Sequence, residues 1–213
     1  MKTVPTKLIL FLLFFTGLQT THASLVNGSF ELGNFVPPDR DTMNLPPGAT
    51  DITGWEVHTD LTAWIGPGNP WSLAASDGDY FLDLTDYTLG PPFGGISQAV
   101  DTIVGQPYEV SFDLGSSDIW GRPSAVEVSA GSNSQIFTGS LTGGDSDWEP
   151  FSMSFTAEEL STTISFLGHT GAGYIGLDNV SVSVVPIPAS IWLFGSAFMF
   201  LFGSQIRKSN KQT

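Results

Sequence analysis

The chain has 213 residues and a formal net charge of −14, with 41% hydrophobic and 12% aromatic residues. That suffices for one cored domain, is too short for two comfortable ones, and is not the composition of a disordered chain. The absence of cysteine excludes disulfides, thiolate nucleophiles and cysteine-based metal sites.

Of the seven basic residues, Lys2 and Lys7 precede the first apolar run, and Arg207, Lys208 and Lys211 follow the last. Between them only Arg40 and Arg122 stand against all 21 acidic residues. So acidic a region does not bind nucleic acid or anionic lipid by neutralising phosphates. It reads first as a well-solvated exported surface, and second as one that attracts cations.

Met1–Lys7 is a short basic segment, and Leu8–Leu18 is apolar yet too short to span a bilayer. Thr21-His22-Ala23 then offers small residues at a cleavage site. This predicts a secretory signal peptide over residues 1–23, with Ser24 as the mature N-terminus.

Residues 24–184 are predicted to be all-β. Tyr108–Leu114 alternates apolar with polar residues, the period-two pattern of a half-buried strand. Similar runs occur at 54–57, 61–65, 80–84, 95–100, 125–130, 135–139, 149–155, 162–167 and 174–184, separated by turn residues such as Asp77-Gly78 and Gly143-Gly144-Asp145. Nine or ten short strands predict an antiparallel two-sheet β-sandwich of the jelly-roll kind. Residues 32–50, rich in Pro, Asp and Gly, read as a long irregular loop, and 87–94 as a shorter one. Ala157–Leu160 hints at one helical turn. Asp77, Asp79, Asp83 and Asp86 form an acidic cluster whose spacing does not fit an EF-hand and which reads as a solvated hairpin.

Residues 187–206 carry no charge and are followed at once by Arg207-Lys208. A stretch of about 20 apolar residues crosses a hydrocarbon core. The basic end then leaves the C-terminus cytoplasmic and the sandwich outside.

Val185-Pro186-Ile187-Pro188-Ala189, the apolar span with Trp192, Gly195 and Gly203, and the basic end together resemble the PEP-CTERM sorting signal over residues 185–213. The resemblance is to the variant with proline where the family's name has glutamate. It implies a Gram-negative host making exopolysaccharide, and cleavage by the membrane enzyme exosortase near Pro186–Ala189. The chain would sit in the inner membrane before processing and at the cell surface or in extracellular matrix afterwards. A plain single-pass anchor would have the same topology without processing.

A second resemblance runs through the sandwich. Leu25-Val26-Asn27-Gly28-Ser29-Phe30-Glu31, Ile52-Thr53-Gly54-Trp55, Asp77-Gly78 with Phe81-Leu82-Asp83-Leu84, Gly95-Ile96-Ser97-Gln98 and Gly176-Leu177-Asp178-Asn179-Val180 come in the order seen in galactose-binding-like jelly rolls. That group includes carbohydrate-binding modules and a plant cell-wall family of unknown function. The resemblance implies a structural Ca²⁺ held by Glu31 and Asp178. Oxygens at Asn27 would complete the shell, as a hard cation requires several oxygen ligands. The alternative is that Glu31 caps a strand and Asp178 is an ordinary loop acid.

Aromatic rings at loop tips stack on sugar faces. The candidates for rings outside the core are Trp64, Trp71, Tyr87, Phe93, Trp120 and Trp148, of which Trp71, Trp120 and Trp148 sit among turn residues as loop-tip candidates, with Arg122 as a hydroxyl or carboxylate partner; rim-of-core tryptophans are the rival reading, and Trp55 reads as core. No Gly-x-Ser-x-Gly elbow, His-Glu-x-x-His helix or phosphate loop occurs. The expectation is therefore a non-enzymatic carbohydrate-binding protein of surface or matrix. A purely structural or adhesive protein is the alternative, and a glycoside hydrolase a remote one.

Overall fold

The computed structural model describes residues 24–70, 73–85, 90–116, 124–140, 147–171 and 174–186. The predicted signal peptide, the 187–206 span and the processing residues Ile187, Pro188 and Ala189 lie outside the described residues. Among the described residues no helix is long and apolar enough to cross a membrane.

Among the described residues eleven strands form two antiparallel sheets: β1 Thr42–Leu45, β2 Glu56–His58, β3 Thr62–Ile65, β4 Phe81–Asp83, β5 Gly95–Asp101, β6 Pro107–Ser116, β7 Ala125–Ala130, β8 Asn133–Thr138, β9 Asp147–Thr156, β10 Ser161–Thr170 and β11 Gly176–Val184. The six-stranded sheet runs β1-β3-β4-β11-β6-β9 and the five-stranded sheet β2-β5-β10-β7-β8. Alternation decides which side chains face inward. In β6, Tyr108, Val110, Phe112 and Leu114 are buried, with half-buried Glu109, Ser111 and Asp113 between them. Phe112 joins the sheets: its ring lies 5.3 Å from Phe137 and 5.2 Å from Phe166, both edge-on, a favoured aromatic geometry.

Two features depart from the sequence reading. The loop expected over 32–50 contains β1, paired with β3 through Thr42↔Ile65 to Leu45↔Thr62. Only four residues long and set between prolines, it carries little pattern of its own, and its pairing is tertiary. Ala157–Leu160 is not helical. Ala157 N–H donates to Gln106 O at 3.0 Å, and Gly105 N–H donates to Ala157 O at 2.8 Å, so the segment is tied to the β5–β6 turn rather than to itself.

A second, smaller apolar cluster of Ala63, Ile65, Leu73, Phe81 and Tyr174 lies apart from the main one, with Trp148 packed against it. In β3, Trp64 belongs to the main cluster while its neighbours Ala63 and Ile65 belong to the smaller one. Both faces of the sheet are thus covered at that point. Hence β3 and β4 are buried at every position, where a one-sided strand would alternate.

Candidate functional site

The strand register gathers one end of the sandwich. Ser116 pairs with Asp147, Gly176 with both Gly115 and Asp83, Thr170 with Ala125, and Ala125 with Thr138. The chain therefore leaves and re-enters the described structure at this end for segments 86–89, 117–123, 141–146 and 172–173. Segment 71–72 also enters here, because Leu73 packs with Tyr174 and Trp148 Nε1–H donates to Ala74 O at 2.8 Å.

The most elaborate polar arrangement is the turn at residues 76–80, which precedes β4 and packs along the sheet beside Asp113 and Asp178. Gly78 takes a left-handed φ of 78°, the turn conformation glycine reaches without steric cost. A β-carbon there would lie 2.4 Å from Glu31 Oε1. Two carboxylates from opposite ends of the domain hold the turn. Glu31 Oε1 accepts from the N–H groups of Asp79 and Tyr80, each at 2.8 Å. Asp178 Oδ2 accepts from Ser76 N–H at 2.8 Å and Asp77 N–H at 2.9 Å, and its Oδ1 accepts from Asn179 N–H at 2.7 Å. Asp113 Oδ2 accepts from Ser76 Oγ–H at 2.5 Å and from Asn179 Nδ2–H at 3.1 Å.

Local backbone conformation sets these acids in place. Asn27 and Phe30 adopt φ of 57° and 59°, and Phe30 N–H closes a turn on Asn27 O at 3.2 Å. Phe30 is fully buried, and its carbonyl accepts from Trp64 Nε1–H at 3.1 Å, which compensates a backbone conformation uncommon for a bulky residue. Glu31 follows directly. At the other end of the chain the register of β11 shifts between Asp178 and Ser181, with Asn179 at φ 51°.

Asp178 is wholly buried. Burial pushes its carboxyl up from 3.8 to about 7, the charge of Asp77 adds to the rise, and the three backbone N–H bonds oppose it. Desolvation of the charged form outweighs hydrogen bonding to it. Among the described residues no cationic side chain is paired with the group.

The predicted residues fare unequally. Glu31 and Asp178 hold different parts of one turn, Glu31 the N–H groups of Asp79 and Tyr80 and Asp178 those of Ser76 and Asp77. Asn27 is committed elsewhere: its Nδ2–H donates to Leu32 O and Thr53 O, its Oδ1 accepts from Leu32 N–H, and its carbonyl also accepts from Trp55 Nε1–H at 2.9 Å. Among the described residues no group of three or more His, Asp or Glu is placed to hold a metal. Two carboxylates alone do not fill the shell of a hard cation, so an ion at this pair would need main-chain oxygens or water as well. Asp83, read as part of a solvated hairpin, is buried instead and accepts from Thr85 N–H and Ile175 N–H at 2.9 and 3.0 Å.

Trp64 does not lie outside the core. It is 1% exposed and belongs to the core, because β3 is covered on both faces. Phe93 is likewise buried. Trp148 is half-buried, its ring edge-on to Phe81 at 5.5 Å, with its N–H engaged. Trp71, Tyr87, Trp120 and Arg122 lie outside the described residues. Sequence reasoning missed Ser76, Asp113 and Asn179, although the Asp77-Gly78 turn beside them was visible.

The chain matches the family described as "Protein of unknown function (DUF642)" over residues 23–175. The protein belongs to that family. No curated protein sequence matches it. Among solved structures, this DUF642 chain is similar to one titled "CBM4 structure and function" (20% identity, 76% of this chain and 100% of that one, TM-score 0.43). It is also similar to the module TmCBM61 in complex with β-1,4-galactotriose (22% identity, 76% and 99%, TM-score 0.44). A third is a family 35 carbohydrate-binding module from Clostridium thermocellum (14% identity, 66% and 97%, TM-score 0.43).

Proposed function

We propose that this DUF642 protein is an exported carbohydrate-binding protein whose ligand, an extracellular polysaccharide, is gripped at the loop end of the sandwich. One observation carries the reading. The strand register brings to a single end the edges of the segments that hold Trp71, Tyr87, Trp120 and Arg122, beside Trp148. Aromatic faces with a few polar partners are the surface on which sugars stack. No catalytic role is assigned: the protein binds glycan without cleaving it. A glycan array followed by tryptophan fluorescence titration tests this. Specific hits, weakened by Trp120→Ala and Arg122→Ala, support it; flat titrations across acidic and neutral glycans refute it.

Export, tethering and processing belong to the same proposal. Residues 1–23 direct secretion, 187–206 span the inner membrane, and exosortase cuts at the Val185–Ala189 motif, relocating the sandwich to surface or matrix. Mass spectrometry of extracellular protein is expected to find a form ending near Pro186–Ala189. Full-length tail confined to membranes would overturn the processing step alone.

Calcium is proposed as the structural partner of Glu31 and Asp178. It would supply the positive charge that the buried Asp178 lacks, and would fasten the two chain ends to the 76–80 turn. Its signature is a melting temperature lowered by chelator and restored by Ca²⁺ but not Mg²⁺, with the response lost in Asp178→Asn. An unchanged melting temperature rules the ion out.

A further inference from the structure

The end of the sandwich opposite the aromatic segments has a different surface. The β5–β6 turn presents Ile103 and Val104, 41% and 57% exposed, and the β9–β10 turn presents Leu160, 73% exposed. The two turns form one unit. Thr102 N–H donates to Leu160 O at 2.9 Å and Gly105 N–H to Ala157 O at 2.8 Å. Thr102 Oγ–H donates to Glu159 O at 2.8 Å, and Ile103 N–H donates to the hydroxyl of buried Tyr108 at 3.0 Å. Three apolar side chains are thus held toward solvent on a braced support, where burial would ordinarily be favoured.

The chain leaves the domain at the same place. Val185 N–H donates to Pro107 O at 3.0 Å, and Gln106 Nε2–H donates to Val185 O at 3.4 Å, so the exit strand is fastened to the β5–β6 turn itself. The uncharged run starts at Ile187, and two extended residues reach at most about 7 Å. A span inserted from Ile187 onward therefore holds this end against the bilayer with almost no slack.

We infer that the Ile103–Val104–Leu160 tip docks into the lipid interface, so that the sandwich stands end-on to the membrane with its aromatic end pointing away. The inference rests on the reading of 187–206 as a membrane span. The lipid is zwitterionic, because exposed Asp101, Glu158 and Glu159 share this end and anionic headgroups would repel them. The orientation also gives the proposed glycan site its access: β10 alone is ten residues long, so at about 3.3 Å per residue the opposite end stands roughly 30 Å away.

The absence of cysteine allows single labels. The full chain is reconstituted in phosphatidylcholine vesicles with an environment-sensitive fluorophore at Val104→Cys, Leu160→Cys, Thr170→Cys or Ala197→Cys, and quenched with shallow nitroxide lipids. Blue-shifted, quenched emission at 104, 160 and 197, with 170 remaining as in water, is the expected result. If 197 responds while 104 and 160 behave like 170, the docking is overturned and the span stands. If 197 does not respond, both fall. A response at 170 equal to that at 104 overturns the end-on orientation.

Discussion

The two ends of this sandwich are built on opposite plans. At the exit end the turns are short and braced by main-chain bonds to each other, as between Ala157 and Gln106, and they show solvent aliphatic side chains among exposed acids. At the other end long connections leave the sheets, and side chains anchor them: the Trp148 indole on Ala74 and the Asp83 carboxylate on Ile175, with Glu31 and Asp178 on the 76–80 turn along the sheet. Main-chain bracing tolerates many sequences but fixes one shape. Side-chain anchoring lets the connections vary while a few polar residues hold their feet, the usual division between scaffold and binding loops.

Substitutions that separate anchoring from packing sharpen this contrast. Trp64→Ala should have the largest effect, about 3–5 kcal/mol of stability in urea titrations, as expected for emptying a core aromatic site. A loss of glycan binding at unchanged stability would return Trp64 to the surface and break the contrast. Asp178→Ala should cost about 3 kcal/mol, because three backbone N–H groups lose their acceptor, and hydrogen exchange at 76–80 should accelerate with it.

Asp178 also gives a pH signature. Its folded value of about 7 lies above the ordinary 3.8, so the folded state holds the extra proton between those values. Its contribution to stability is therefore greatest near pH 4, declines as pH rises toward 7, and is level above. Comparing melting curves of wild type and Asp178→Asn across that window in metal-free buffer isolates the slope; identical slopes would show the carboxyl to be unperturbed.

Trp148→Phe should cost about 1–2 kcal/mol, the loss of one hydrogen bond and some packing, and should loosen the segment at Ala74. The smallest effect belongs to the exit end. Val104→Ser with Leu160→Ser should stay within about 0.5 kcal/mol, as for exposed sites generally. A larger change would mean that these side chains serve the fold rather than a surface.

The sheets were legible wherever one face meets the core and the other meets solvent. Alternation located β6 to within two residues at each end and β10 to within three. It also located β3 and β4, at 61–65 and 80–84, but not the burial of both their faces, because the segment carrying Leu73 covers the outer one and an acid such as Asp83 looks solvated until its hydrogen-bond donors are seen. β1 was illegible because four residues between prolines hold too little pattern. The meeting of Glu31 and Asp178 followed from a resemblance between distant motifs. What they grip did not, since backbone N–H groups leave no mark in a sequence.

The placement of β11 has a temporal consequence. This last strand lies in the middle of its sheet, between β4 and β6, and Val180 N–H closes on Gly28 O at 2.9 Å. Until residues 176–184 have arrived, β4 is paired only with β3 and β6 only with β9, so the two halves of the sheet stay unjoined, and such pairing of distant segments is intrinsically slow. A chain threaded across a membrane from its N-terminus thus completes its sandwich only when the segment next to the apolar tail emerges. If residues 187–206 then halt in the bilayer as proposed, closure of the domain and arrest of its transit become nearly the same event.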